Sequence, residues 1–487
     1  MNRLSFRSQN QRKKSLKYGG YATVSTLVVL VALILINVLF AELDLTIDLT
    51  KEELYTPGEQ TMEILDSLED DIVIYGLYNT GTETNDLNAK VILLVNEYCD
   101  LSKHLSFKTI DPLKDPTFAN KFLMDDSESF ANGTLIVENQ ATGKFKTLPL
   151  NNLYEVTTDY QYLTRTVTGF SAEEALSTAI QYVSMTQTPV LYQLQGHSET
   201  LLSDGFLDYL SYSNYDTKEL NLVTENINEL EANVATVVLV NNPRQDLSEG
   251  EYQTLLNYME NGGRMLYLAS YDSPELPNFS RLLSRYGLGV QPGLMVETDE
   301  NYYYQYPQMI LPILSTDSEI TSYMLNDSNN YALMVLPASI TVSDQISSRI
   351  KIDSLVTTSA GAIIKQGTNE AVVYEEGDIT GPFNLVVAAE EEKTVNNQNV
   401  TSKLVVVGNS EYINTYATTG NYKLTTIICD YLQDTGDQLY ISTKSLEEGM
   451  IETSNMDFVV WGLVFIVLVP AIIIIAGIVI YSRRKHR

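Results

Sequence analysis

Four short polar segments in the second half of the chain contain the residues best suited to chemistry. Each segment follows an apolar run that is typical of a buried strand. Ligands of open α/β sheets bind at the carboxyl ends of the strands, so we expect the four segments to converge at one edge. The candidate ligand or partner contacts are Gly196, His197, Glu199, Asn241, Asn242, Ser270, Asp272, Asn409 and Glu411.

His197 is the candidate with the widest chemical range, because an imidazole can act as a base or as a metal ligand. Glu199 and Glu411 could supply carboxylates, but one histidine with two carboxylates at unknown distances is weak support for a metal site. The alternatives are catalysis, a ligand or partner contact, and a polar turn that hydrogen-bonds neighbouring loops. We favour the polar turn, and we predict no catalytic residue, no metal and no cofactor.

The familiar enzyme motifs are missing from the sequence. There is no G-x-S-x-G elbow for a nucleophilic serine, no G-x-x-x-x-G-K-[ST] loop for nucleotides, and no C-x-x-C for thiol exchange. Cys99 and Cys429 lie in apolar helical stretches, where free buried thiols are expected. We therefore expect a protein that is not an enzyme, with an extracytoplasmic hydrolase as the least favoured alternative.

The elements that must position the candidate residues alternate between strands and helices from residue 188 onward. This alternation predicts a doubly wound, mostly parallel α/β domain over 188–436. The stretches YALMVLPASI and SLVTTSAGAII each read as one strand of it. A smaller α/β domain over 42–150 has the element order of a thioredoxin-like fold. A linker with a helix covers 151–187, and a second linker covers 437–457.

Charge is strongly segregated along the 487 residues, whose formal net charge is −31. All 62 acidic residues lie between Glu42 and Asp457, whereas ten of the 31 basic residues lie in 1–20 and 483–487. The middle therefore has 62 acids and 21 bases, a charge of −41. Such a surface excludes a general nucleic-acid binder, which needs a basic face to neutralise phosphates.

Two charge-free apolar runs separate the basic tips from the acidic middle. Each is longer than the ~20 residues that cross a bilayer as a helix, so we predict transmembrane helices over 21–41 and 458–482. The first run is too long for a signal peptide and has no convincing cleavage site. The positive-inside rule places both tips in the cytoplasm and 42–457 outside. The prediction is a two-span protein of the bacterial cell membrane, with the lipid bilayer as a partner.

A dense aromatic patch, Asn301–Pro307, contains four of the 32 tyrosines. Tyrosine offers a large contact area and a polar tip, which suits an interface or a glycan surface. The alternative, which we favour here, is a loop packed on the surface of its own domain.

The order of several sequence stretches resembles the GldG-like auxiliary subunits of bacterial ABC transport systems. The resemblance covers essentially the whole chain, although each stretch alone is weakly specific. The sequence departs from the usual pattern at Glu411, where Asp is common, and at Ser198, where Gly is common. The matching stretches are LTKEELYTPGEQT, QGHSE, NNPRQDLSEGEYQTLLNYMENGGRMLYLAS, LVTTSAGAII and LVVVGNSEYINT.

This resemblance implies a membrane-anchored, non-catalytic partner of an ABC permease and a separate ATPase. It also implies a glutamine-amidotransferase-like α/β fold for the second domain, without established catalysis. The expected function is that of an auxiliary subunit whose extracytoplasmic body contacts the permease or the substrate. The alternative is an extracytoplasmic ligand-binding or sensing protein for a saccharide or peptide.

Overall fold

The computed structural model describes residues 50–446, Asp48, and single positions within 24–35 and 470–479. Inside the main range it leaves out 124–128, 160–163, 225–235, 326–330, 367–372, 434–438 and 440. The basic tips lie outside the described residues, and so do most positions of the two predicted spans and of the linker 437–457. Within the described part of the chain, no helix is long and apolar enough to cross a membrane.

The first half of the described chain folds around a four-stranded sheet with the order β2-β1-β3-β4. β1 and β2 are parallel, whereas β3 runs antiparallel to both β1 and β4. Every residue of β1 and β3 is buried, as expected for the two central strands. The elements are α1 (Glu59–Asp66), β1 (Ile72–Leu77), α2 (Asp86–Leu101), β2 (Leu105–Ile110), α3 (Pro116–Asn120), β3 (Thr134–Asn139) and β4 (Phe145–Leu148).

A hairpin and a helix follow this sheet: β5 (Tyr154–Asp159), β6 (Thr164–Phe170) and α4 (Ala172–Ser184). α4 lies in the segment predicted as a linker, yet its buried face packs into the core of the four-stranded sheet with α2. The short strand β22 (Lys444–Ser445) pairs with β6, so the end of the described chain returns to the first half.

The second half is built on a ten-stranded sheet whose main path is β11-β16-β20-β21-β10-β9-β7-β8. Its five strands β8, β7, β9, β10 and β21 are parallel. The other strands of the sheet continue it antiparallel. Five other strands of this half form two smaller sheets, β12-β18-β19 and β13-β15. The strands of the second half are β7 (Val190–Gln195), β8 (Asp216–Asn221), β9 (Thr236–Asn241), β10 (Arg264–Leu268), β11 (Leu288–Gln291), β12 (Met295–Glu297), β13 (Met309–Ile310), β14 (Ile313–Leu314), β15 (Met334–Val335), β16 (Ser339–Val342), β17 (Ile350–Thr357), β18 (Ala362–Ile364), β19 (Ile379–Thr380), β20 (Asn384–Val395) and β21 (Gln398–Val407).

Helices cover both faces of the parallel strands. α5 (Asp204–Tyr212) and α8 (Thr419–Gln433) bury their apolar side chains against one face. α6 (Glu249–Glu260) and α7 (Pro277–Arg285) do so against the other. Because both faces are covered, β9 and β10 are buried at every position, which explains their continuous apolar sequences.

The mixed α/β class predicted from the sequence is confirmed, but the sheet is less parallel than expected. The stretch 331–340 forms two short strands in different sheets, β15 and β16, because Leu336 takes a positive φ of 53° and Pro337 follows it. SLVTTSAGAII is also split, with β17 in the large sheet and β18 in a three-stranded one. Antiparallel strands pair with distant segments, so their partners leave no local signal in the sequence.

Two lysines connect the halves of the molecule. Lys146 of β4 donates hydrogen bonds to the carbonyls of Ser211 and Tyr212 at the end of α5, at 2.8 and 2.9 Å. Lys444 lies 2.7 Å from the buried carboxylate of Glu173 on α4. The two bonds from Lys146 satisfy carbonyls that the end of a helix leaves without hydrogen-bond partners.

Candidate functional site

The candidate residues follow four strands that are parallel neighbours, in the order β21-β10-β9-β7. Their carboxyl ends therefore lie along one edge of the sheet, as the sequence analysis expects. The hydrogen bonds show which of these residues interact. Those after β7, β9 and β10 form one connected group, and those after β21 bond elsewhere.

His197 lies at the centre of the connected group and is 3% exposed. Its Nδ1 is 3.0 Å from Oε1 of Glu199, and its Nε2 is 3.2 Å from Oε1 of Glu251. Its backbone N–H donates to the other oxygen of Glu199 at 2.8 Å. The ring also packs edge-on against Phe279 of α7, with centroids 5.9 Å apart. Both ring nitrogens are thus engaged by protein carboxylates.

The turn that carries His197 has an unusual backbone. Gly196 has φ of +117° and Ser198 has φ of +57°, both in the region that favours glycine. This path points the carbonyl of His197 at the next loop, where it accepts from the backbone N–H groups of Arg244 and Gln245 at 2.9 and 3.0 Å. The turn after β7 is therefore fixed to the loop after β9 by backbone as well as side-chain bonds.

Glu251 was not among the residues predicted from the sequence. It is the third residue of α6 and forms a capping box with Ser248, in which Ser248 N donates to Glu251 Oε2 at 2.9 Å and Glu251 N donates to Ser248 Oγ at 3.3 Å. The Ser-x-x-Glu spacing before an apolar helix is a recognised signal and could have revealed it. The oxygen that is not used in the cap faces His197.

The two carboxylates control the charge of His197. Burial lowers the pKa of His197, but the hydrogen bond and charge of Glu199, and then those of Glu251, outweigh burial and leave the pKa raised. Burial raises the pKa of Glu251, but its bonds with Ser248 and the nearby His197 leave that pKa lowered. An imidazolium donates from both nitrogens, so the protonated ring fits between two ionised acceptors.

Asn241 and Asn242 hold the residue that follows Glu199. Asn241 Nδ2 donates to the Thr200 carbonyl at 2.7 Å, and the Thr200 N–H donates to the Asn241 carbonyl at 2.8 Å. Asn242 has φ of +51° and reaches the Thr200 hydroxyl at 3.3 Å. Both asparagines are buried, so their amide groups act inside the protein.

Ser270 and Asp272 form the next contact along the edge. The hydroxyl of Ser270 donates to Asp272 at 2.8 Å, and Arg244 binds both oxygens of the same carboxylate at 2.7 and 3.2 Å. The bond from the Arg244 guanidinium is the main cause that lowers the pKa of Asp272. Arg244, like Thr200, is a member of the group that sequence reasoning missed, and neither has a motif that could have revealed it.

The last two candidates, Asn409 and Glu411, form hydrogen bonds with residues outside this group. Asn409 is buried and its Nδ2 donates to the carbonyl of Val335 in β15. Glu411 accepts from the hydroxyl of Thr415 at 2.6 Å, within its own turn. The structure therefore brings seven of the nine predicted residues together and connects Asn409 and Glu411 to other elements.

Beyond hydrogen bonding, the arrangement offers few side chains that could take part in a reaction. Within the described ranges, no cluster of three His, Cys, Asp or Glu side chains could hold a metal ion. Cys99 and Cys429 are not disulfide-bonded, and burial raises the pKa of both thiols, that of Cys99 to about 11. Thiols with such pKa values are poor nucleophiles near neutral pH.

The aromatic patch predicted at 301–307 lies on a hairpin, in which the N–H of Tyr304 donates to the carbonyl of Met309 at 2.8 Å. Tyr304 and Tyr306 are 41% and 62% exposed, and the ring of Tyr331 lies 6.4 Å from that of Tyr304. The Tyr331 carbonyl accepts from Thr418, which connects this hairpin to the start of α8. A loop packed on the surface of its own domain can also expose such rings, so that interpretation stays a prediction.

Comparison with known proteins links the second half of the chain to a described domain. The family model of the IFT52 GIFT domain matches residues 210–444, somewhat under half of the chain. A domain of unknown function, DUF7088, matches residues 51–144. No curated protein matches the chain.

Two solved structures match about half of the chain. The first, the "mmIFT52 N-terminal domain", is 15% identical, with a TM-score of 0.37, and the match covers 50% of this chain and 97% of that one. The second is a protein of the GMP synthase type from Thermoplasma acidophilum. It is 9% identical, with a TM-score of 0.28, and the match covers 52% of this chain and 100% of that one. Superpositions with TM-scores this low do not establish a common fold.

The family match contradicts the expected resemblance to GldG-like subunits. The model that matches is that of the IFT52 GIFT domain, so the predicted ABC auxiliary function and the predicted permease and ATPase partners are wrong. The physical reason lies in the longest of the matching stretches, 241–270. It is a turn, a capped helix and a buried strand, and the α/β architecture alone imposes that pattern on unrelated families.

The predicted location is corrected by the same match. A two-span protein of the bacterial cell membrane, with 42–457 outside and the bilayer as a partner, does not agree with an IFT52-type domain. The extracytoplasmic ligand-binding or sensing alternative depended on that placement and is withdrawn with it. Basic flanks orient a segment that spans a membrane, but they are not evidence that it does so.

Proposed function

We propose that this chain is a non-catalytic, protein-binding subunit of a multi-protein assembly of the intraflagellar-transport type. The observation that carries the proposal is the match of residues 210–444 to the model of the IFT52 GIFT domain. Its partners are then other subunits of that assembly.

The geometry of the sheet edge supports the non-catalytic part of the proposal. His197 has both ring nitrogens engaged by Glu199 and Glu251, and the neighbouring asparagines bond to Thr200. A general base needs a free nitrogen within reach of a substrate proton, and a buried ring held between two carboxylates does not provide one. These groups instead fix three loops against one another, which gives a rigid body for binding other proteins.

We also propose finer fold and domain assignments. The order β2-β1-β3-β4, with a parallel first pair and antiparallel later pairs, supports a thioredoxin-like fold for the domain predicted over 42–150. The parallel strands β8, β7, β9, β10 and β21 support a doubly wound domain over 188–436. The amidotransferase-like assignment of that second domain stays a prediction.

Capture of the full chain from its native cells tests the proposed function. The tagged chain is purified at moderate salt, and the co-purifying proteins are identified and quantified by mass spectrometry. We expect one or more proteins in near-stoichiometric amounts, cross-linked mainly to residues 188–436. Recovery of the chain alone, or of the same proteins with an unrelated tagged control, would contradict the proposal.

A variant of the buried group tests the non-catalytic part. His197→Gln removes the titrating ring but keeps a polar side chain between the two carboxylates. We expect this variant to capture the same partners as the wild type at a temperature where both are folded. If the assembly shows a turnover that disappears in His197→Gln while capture is unchanged, the non-catalytic assignment is wrong.

A further inference from the structure

The hairpin around Tyr304 belongs to the longest stretch of the sequence without a basic residue. From residue 286 to 348 there is no Lys, Arg or His, and there are seven acidic residues. Glu300, at the base of the hairpin, is exposed. An exposed carboxylate with no basic residue near it in the sequence attracts cationic groups.

Four exposed tyrosines belong to this hairpin, to the segment that leads into its paired strand β15 and to the turn bonded to that segment. Tyr304, Tyr306, Tyr331 and Tyr416 are between 41% and 62% exposed, and we call these four residues the tyrosine surface. Tyr304 and Tyr331 have rings 6.4 Å apart, inclined by 31°. The Tyr331 carbonyl is bonded to Thr418, and Tyr416 lies two residues before it. Tyr416 also donates its N–H to the carbonyl of Glu411, so these two residues share one turn.

The rest of the molecule shows how its aromatic rings are used when a cation is near. The Arg281 guanidinium lies 4.0 Å from the centre of the Tyr252 ring, and the Lys144 ammonium lies 4.0 Å from that of Tyr182. Lys403 is 4.3 Å from the Tyr431 ring. Among the described residues, no such cation faces the four rings of the tyrosine surface. The exposed parts of these rings therefore offer positions for a further cation.

We propose that the tyrosine surface binds an arginine-rich segment of a partner protein. This inference rests on the proposed function, because it names the chemistry of a partner for a protein-binding subunit. Arginine fits better than lysine, since its planar guanidinium stacks on an aromatic face and also pairs with carboxylates such as Glu300 and Glu411. Exposed tyrosines with a polar rim are also typical of protein interfaces.

A labelled peptide of alternating Arg and Gly is the probe. Its binding to the purified full chain is followed by fluorescence anisotropy, with a Lys–Gly peptide and a Gln–Gly peptide of equal length for comparison. We expect the Arg peptide to bind several-fold more tightly than the Lys peptide and the Gln peptide not to bind. Equal binding of the Arg and Gln peptides would overturn the proposal.

Variants of the rings separate stacking from simple charge attraction. We expect Tyr304→Ala with Tyr331→Ala to weaken Arg-peptide binding by roughly tenfold, because two exposed cation–π contacts are lost at about 0.5–1 kcal/mol each. Tyr304→Phe with Tyr331→Phe should bind like the wild type, since the ring faces remain. If the alanine pair binds as tightly as the wild type, or the phenylalanine pair is equally weakened, the assignment is wrong.

A matched control comes from Tyr374, which is 55% exposed and is followed by Glu375 and Glu376. Tyr374→Ala should leave Arg-peptide binding unchanged. An equal loss of binding there would mean that the peptide responds only to the general acidity of the protein surface.

The two proposals fail separately. If native partners co-purify equally with the wild type and the alanine pair, only the tyrosine surface is excluded. If none co-purify with the wild type, the proposed function fails whatever the peptide does.

Discussion

Two histidines, one next to a strand of each of the two largest sheets, make the same contact in different surroundings. His104 Nδ1 lies 3.0 Å from Oδ1 of Asp71, and His197 Nδ1 lies 3.0 Å from Oε1 of Glu199. The first pair is at the surface, where the Asp71 side chain is 78% exposed. The second pair is buried, and Glu251 engages the other nitrogen of its imidazole.

The comparison teaches that distance alone does not measure what such a pair contributes. Water screens the surface pair and would solvate either group if the other were removed, so little stability depends on it. The buried group has no water to replace a lost partner, so removal of the ring would leave two carboxylates uncompensated. A residue type that looks chemically active in the sequence can therefore stabilise the fold at one site and contribute no measurable stability at another.

The largest expected effect comes from His197→Ala. The free energy of unfolding should fall by about 3–5 kcal/mol, the usual result of breaking a buried charged pair by removing one partner. Urea denaturation followed by circular dichroism provides the measurement. The matched control is His104→Ala, which should cost less than about 1 kcal/mol because its pair is exposed. Equal losses of unfolding free energy in the two variants would mean that burial does not distinguish the two pairs.

The dependence of stability on pH is the next expected effect. The pKa of His197 is raised in the folded state, so its stabilising contribution is complete below the unfolded value of 6.5 and is lost as pH rises through the folded value. Glu251 has a lowered pKa, so its contribution is present above the unfolded value of 4.5 and is lost as pH falls. The wild type should therefore exceed His197→Gln in stability most clearly between mildly acidic and neutral pH.

Unfolding free energies of both proteins, measured across the pH range, check this expectation. The difference between wild type and His197→Gln should shrink on the alkaline side and again on the acidic side. A difference that grows with rising pH would mean that the ring is held in its neutral form, contrary to the geometry described above.

Sequence reasoning found two of the three residues of this buried group, because those two are close together in the chain. His197 and Glu199 follow a strand directly, so their position at the sheet edge could be predicted from the strand pattern alone. Glu251 is 54 residues further along the chain and reaches His197 only because α6 begins at that edge. Its capping spacing with Ser248 predicts the start of a helix, but nothing in the spacing predicts which loop the free oxygen faces.

In the fold as well, some features could be predicted from the sequence and others could not. The parallel arrangement of β7, β9 and β10 could be predicted because each of them is followed by a helix that returns the chain to the same edge. The neighbours of the antiparallel strands β20, β16 and β11 could not be predicted, because hydrogen bonds to distant segments determine them. The family resemblance failed for a related reason, since strand and cap patterns describe an architecture that many families share.

A smaller effect is expected from Glu251→Gln, which removes one charge and keeps the shape. Glutamine can still accept from Ser248 and complete a capping box, so the helix start should survive. The loss should be about 1 kcal/mol, the difference between a charge-assisted and a neutral hydrogen bond to the ring. The measurement is the free energy of unfolding at pH about 6, where an unperturbed His is largely protonated. A loss as large as that of His197→Ala would mean that the cap had been disrupted.

The smallest expected effect is that of Asp71→Asn, which makes the equivalent change in the surface pair. Stability should change by less than about 0.5 kcal/mol, because water competes for both groups and the side chains lose freedom when they pair. Salt provides a second measurement, since added salt should erase any difference at Asp71 while leaving most of the loss at Glu251. A salt-resistant loss at Asp71 comparable to that at Glu251 would mean that burial does not distinguish the two histidines, and the buried group would then need another explanation.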